Sequence, residues 1–98
     1  SINWIEDSNN GDTTEEGTYI ITNNLTNCTT NNNANSISAN SSYSATISAN
    51  SGYTLGSITV TMGGNNITSS VVSGSRISIN SVTGNVVITA SATATAPT

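Results

Sequence analysis

Asp7, Asn9 and Asp12, with Glu15 and Glu16 beyond them, are the side chains of this sequence best equipped to hold a ligand. The run Asp7-Ser8-Asn9-Asn10-Gly11-Asp12 offers hard oxygen donors on a turn, the donor type that calcium takes. An EF-hand loop places Gly at position 6 and closes with Glu at 12. Counted from Asp7, Gly11 falls at 5, Asp12 at 6 and Thr18 at 12, so that register fails. A looser calcium site on Asp7, Asn9 and Asp12 is the sharper expectation, and a solvated acidic linker the plainer one.

The second candidate chemistry is sugar binding, which needs aromatic platforms beside amides and hydroxyls. Trp4, Tyr19, Tyr43 and Tyr53 are the only aromatic residues. Tyr43 shares an apolar alternation with Ala45 and Ile47, so core packing is expected of it. Tyr53 stands at the entrance of a strand, and Trp4 lies outside the periodic region. Trp4 and Tyr53 are therefore the expected carbohydrate contacts.

Catalysis is not expected. The sequence holds no His and no Lys, so its many Ser and Thr hydroxyls lack an activating base. Cys28 stands among Thr and Asn with no neighbouring cation to lower its pKa, and reads as a small buried residue. Paired carboxylates could come only from the acidic stretch, and a flexible connector holds catalytic geometry poorly.

Composition narrows the partners. Asn, Ser and Thr supply about half of the 98 residues; 34% are hydrophobic and 6% charged, and the net charge is −4. All five acids precede Gly17, and Arg76 is the only charged side chain after it. One cation cannot displace the counterions of a nucleic acid, nor hold a helix on a membrane surface. No apolar run approaches the roughly 20 residues of a membrane span. Without Lys there is no isopeptide cross-link, and a single Cys forms no internal disulfide. The sequons at Asn24, Asn27, Asn40 and Asn66 are what chance gives in so Asn- and Thr-rich a chain.

Three zones must position these residues: an acidic lead-in over 1–16, a β-module over 17–94 and a linker tail over 95–98. Within the module, Tyr43, Ala45 and Ile47 alternate with polar residues, as do Ile58, Val60 and Met62, then Ile77 and Ile79, then Val86, Ile88, Ala90 and Ala92. That period of two predicts half-buried strands. Thr18–Thr22, a stretch around Leu25–Thr29, and Ile67–Val72 are further strand candidates. Turns are expected at Asn23-Asn24, Ser51-Gly52, Gly63-Gly64-Asn65-Asn66, Ser73-Gly74 and Gly84-Asn85. The fold class predicted is all-β: a small antiparallel sandwich, Ig-like or β-grasp-like, of five to seven short strands.

The stretch Tyr43 to Leu55, with its Gly52-Tyr53-Thr54-Leu55, resembles the divergent internalin-B-type repeat, and Ser81 to Ala90 is similar to that repeat's final strand. Val60-Thr61-Met62-Gly63-Gly64 and Ile67-Thr68-Ser69 resemble Ig-like modules of phage tail and fibre proteins and of Gram-positive surface proteins. The resemblance covers roughly Gly17 to Ala94 and omits the Trp that commonly follows the Gly-Tyr-Thr segment. It implies a non-catalytic structural or adhesion module of a phage tail, fibre or decoration protein, on a virion surface, with weak binding to host-surface glycans. The alternatives are a spacer repeat of a Gram-positive cell-surface protein, or a calcium- or carbohydrate-binding accessory domain of a secreted enzyme. Because sheet edges are normally guarded by Lys, Pro or bulges, and Lys is absent, other subunits or adjacent domains are expected to pair with exposed strand edges.

Overall fold

The computed structural model describes residues 17–95. The lead-in, and with it Trp4, Asp7, Asn9 and Asp12, lies outside the described residues. Nine strands and one helical turn follow in chain order: β1 (Thr18–Thr26), β2 (Cys28–Thr30), β3 (Ser36–Ser38), β4 (Tyr43–Ala49), β5 (Tyr53–Met62), β6 (Asn65–Asn66), α1 (Thr68–Val71), β7 (Val72–Ser73), β8 (Arg76–Ile79) and β9 (Val86–Ala94). They form two sheets, of order β3-β1-β9-β5-β6 and β2-β4-β8-β7. The all-β sandwich is as the periodicity indicates, with more strands than the five to seven expected.

The two sheets bury one face of each long strand. Ile21 on β1, Ala45 and Ile47 on β4, Ile58 and Val60 on β5, Ile77 and Ile79 on β8, and Val86 and Ile88 on β9 meet in one core. Each Ile or Val among them taken fully out of water contributes about 1.5–3 kcal/mol, which is what a chain with so little charge has to fold with. Residues of the other parity point outward and are overwhelmingly Ser, Thr and Asn. Tyr43 is buried as expected, and its hydroxyl donates to the Asn32 carbonyl at 3.2 Å.

Four sequence expectations change. Asn23-Asn24 is no turn: β1 runs straight through it, paired with β9 from Ile21 to Thr26. Asn tolerates a turn but does not compel one where pairing with β9 holds the chain extended. The corner falls instead at Asn27, with φ 59°, which carries the chain from one sheet to the other. Ile67–Val72 is not a strand, since Thr68–Val71 closes one helical turn. There the Asn66 Oδ1 accepts the Thr68 N–H, and the Thr68 hydroxyl is spent on the β5 backbone at Val60. Asn65-Asn66 forms β6 rather than part of the turn, because Gly63 and Gly64, both at positive φ, suffice for a two-residue hairpin. Ser36–Ser38, too short to show a period, forms an edge strand against Thr18–Ile20.

The fourth change is one of topology. The first and last long strands, β1 and β9, are neighbours and run parallel, whereas every other pairing is antiparallel. The described residues therefore begin at one pole of the module and end at the other. Ala94 lies eight steps beyond Val86, which is opposite Ile21, so it stands eleven residue steps above Thr18. At about 3.3 Å per step, the two are about 36 Å apart along the strands.

The lower pole, where β1 begins, is tightly closed. Val82, fully buried, is clamped by two backbone bonds: its N–H donates to Ser41 (2.8 Å) and its carbonyl accepts from Asn40 (2.7 Å). A Cβ on Gly84 would stand 2.8 Å from the Gly63 backbone, so only Gly fits. Asn85 adds a latch, its Oδ1 accepting the Ile20 N–H at 2.9 Å.

Candidate functional site

The upper pole is assembled from three chain segments. The Asn27 carbonyl accepts from Asn50 (2.9 Å), the Asn50 carbonyl accepts from Tyr53 (2.9 Å), and the Gly52 carbonyl accepts from Thr95 (2.8 Å). The Asn27 amide donates to the Ala92 carbonyl at 3.3 Å, and the Thr54 and Thr95 hydroxyls share a hydrogen bond of 2.8 Å. Tyr53 pairs with Ala94 at the end of the sheet. By register it has the parity of the core-facing residues, yet it stands past the last of them and remains 37% exposed.

Of the two expected carbohydrate contacts, Tyr53 is thus a partly exposed ring on the inner parity of the sheet end, while the hydrogen-bonded Thr54 and Thr95 hydroxyls have the opposite, outward parity. Trp4 lies outside the described residues, so the structure does not bring the two together. Of the other rings, Tyr43 is in the core, where burial raises its hydroxyl pKa above 10.0. Tyr19 packs half-buried against the core.

The expected calcium ligands Asp7, Asn9 and Asp12 likewise fall outside the described residues. Among the described residues there is no group of three or more His, Cys, Asp or Glu side chains fit to hold a metal. Cys28 is buried at the start of β2, with its Sγ 3.6 Å from the Ala90 carbonyl. That is the environment of a packing residue. No described helix is long and apolar enough to cross a membrane.

The outward face of the larger sheet is a grid of neutral side chains. Register places Thr22, Val87 and Thr61 in one row and Asn24, Thr89 and Thr59 in the next. The smaller sheet presents Ser44 beside Ser78 and Thr46 beside Arg76, the one charged side chain described. Such faces offer hydroxyls and amides for hydrogen bonding without long-range steering of a charged partner.

The edges differ sharply in how they are guarded. On β5, Val60 has its N–H and carbonyl bound by the Thr68 hydroxyl, at 2.8 and 3.3 Å. Farther along, a bulge opposite Ser91 disrupts the same edge. On β4, β2 is continued by Asn31, whose backbone N–H donates to Thr46 and whose side-chain oxygen accepts from it. On β1, β3 covers only the first residues. The stretch Asn23–Leu25 has β9 on one side and no described strand on the other. Sequence reasoning missed this edge because it read Asn23-Asn24 as a turn. The parity of Ile21, Asn23 and Leu25 was the available signal.

No family model, no curated protein and no solved structure matches the chain.

Proposed function

We propose that this chain is a non-catalytic structural and adhesion module of a phage virion protein, a link in a tail, fibre or decoration protein that works at the particle surface. The observation that carries the reading is the parallel pairing of β1 with β9, which sends the chain in and out at opposite poles. A module threaded in that way extends a chain by its own length, whereas one with adjacent ends hangs off it as a side group. The neutral hydroxyl and amide faces fit the reading, since they stay hydrated without charge. Tyr53 at the upper pole supplies the one described ring from which weak contact with a host-surface glycan would start.

Two measurements test this. A tandem pair of the full chain, studied by small-angle scattering, is expected to be elongated, with the second module adding its full length to the maximum dimension. A folded-back pair would sink the linking role. Antibody against the chain is expected to label the tail or fibres of purified phage particles. Label on a Gram-positive cell wall instead would identify a spacer repeat of a surface protein. A glycan array of host-wall polysaccharides then separates adhesion from spacing, because silence across it leaves a spacer alone.

A further inference from the structure

We propose that Asn23–Leu25 is a strand-accepting edge through which two copies of this chain pair antiparallel about a two-fold axis at Asn24. The proposal deepens the reading of the chain as a link in an assembly, and rests on it for its setting.

Backbone direction along β1 is fixed by its bonds. The Ile20 N–H points toward β9, where it meets the Asn85 side chain, and the Ile21 N–H points away, to the Asn35 carbonyl. Odd-numbered residues therefore face away from β9. Gly17 accepts from Ala39, Tyr19 is opposite Ile37, and Ile21 donates to Asn35. Past the free stretch, Asn27 accepts from Asn50. Between them, Asn23 and Leu25 present two N–H groups and two carbonyls to a side where no described residue pairs with them. The gap is bounded below by Asn35 and above by the corner at Asn27.

A second observation falls on the same residue. The Asn23 Oδ1 is buried and has no hydrogen-bond partner among the described residues. Leaving a buried polar atom unpaired is costly, so native structures seldom keep one. Its column is the core-facing one, between Ile21 and Leu25, where an amide has no use in packing.

A second copy of β1 fits this gap by symmetry. With Asn24 opposite Asn24 of the second copy, Asn23 faces Leu25 and Leu25 faces Asn23, each pair exchanging two backbone bonds. The two Asn23 side chains become diagonal neighbours on the core-facing side, and a turn of the side chain that brings the buried Oδ1 to the seam lets the amide N–H of one copy satisfy it in the other. β3 of each copy ends where the partner strand begins, so the two notches interlock. Thr22, Asn24 and Thr26 are exposed and uncharged. Nothing at the axis repels a like copy, and isologous two-fold pairing is the commonest form of self-association.

The test uses the full chain in sedimentation velocity from about 10 µM to about 1 mM, the range of weak association. A concentration-dependent dimer is expected. Asn24→Lys and Asn24→Glu, at an outward-facing exposed position, each set like charges directly opposite one another and weaken the dimer at least about tenfold. An equimolar mixture of the two variants restores it. Amide exchange at Asn23 and Leu25 is expected to slow only as concentration rises. A chain monomeric throughout overturns the proposal, as do variants that dimerise like the parent or a mixture that stays apart. Slow exchange at these amides in the dilute monomer would show that the chain's own residues 1–16 hold the edge, and would overturn it too. The tandem scattering and particle labelling do not depend on this edge, so they report on the linking role separately.

Discussion

The lower and upper poles of this module are built from the same few residue types and end in different states. At the lower pole, Val82 plugs the sandwich, Gly63 and Gly84 pack backbone to backbone, and Asn85 latches β1 to the start of β9. At the upper pole, the chain corners at Asn27, β5 bulges, Tyr53 is part exposed, and among the described residues nothing pairs with the Asn23–Leu25 edge or with the Asn23 amide oxygen. The lower pole holds its parts by contacts that tolerate no added atom. The upper pole leaves hydrogen-bonding groups unspent. Close packing and the proposed contact edge thus fall at opposite ends of one sheet.

Substitutions at the two poles are expected to separate accordingly. Gly84→Ala drives a Cβ into the Gly63 backbone and should cost about 2–3 kcal/mol in urea unfolding, the scale of overpacking where backbone must shift. A loss near zero would show that the lower pole is loose and remove the contrast. Tyr43→Phe, in the core toward the same pole, gives up the bond to the Asn32 carbonyl and should cost about 1 kcal/mol at neutral pH. It also carries a pH signature. Burial raises the Tyr43 pKa in the folded state, so its contribution is fully present below about pH 10 and is lost as pH rises through the folded value. The alkaline decline in melting temperature should therefore be shallower in Tyr43→Phe than in the parent.

Thr68→Val tests what guards an edge. It removes the hydroxyl that holds the Val60 N–H while keeping side-chain shape, at an expected cost of about 1 kcal/mol. It should also raise self-association by freeing that N–H on a second edge; unchanged sedimentation would mean that the Ile67 N–H on the Val60 carbonyl, β6 and the bulge guard β5 without it. Smallest of all, Tyr53→Ala at the upper pole should change stability by no more than about 0.5 kcal/mol, as for an exposed position. Any glycan signal should disappear with it. A glycan signal that survives would move the contact to another part of the chain.

Much of the core was legible in the sequence. Wherever apolar and polar residues alternate strictly, as in Tyr43–Ser48 or Val86–Thr93, strand and buried face follow together, because side chains of a strand alternate across the sheet. β1 was legible only in part. Asn23 interrupts its apolar column, and an Asn-Asn pair carries a local preference for turns that the pairing with β9 overrides. The short pieces β3, β6 and β7 have too few residues to show a period, and exist only because longer strands offer them bonds. The helical turn after β6 was hidden for a related reason. Ile67, Val71 and Val72 suit a strand, but the chain gains more by turning Thr68 back onto Val60.

The residue inventory by itself determined that this is a β protein with one charged side chain after Gly17 and no His or Lys anywhere, since those are matters of composition and of side-chain alternation. Tertiary structure decided which strands are neighbours, that the first and last described strands run parallel, and which edge has no described strand beside it. Such facts depend on contacts between residues far apart in the chain. The hydrogen bonds that set them are made by backbone groups, which every residue but Pro carries alike, so no spelling of side chains records them.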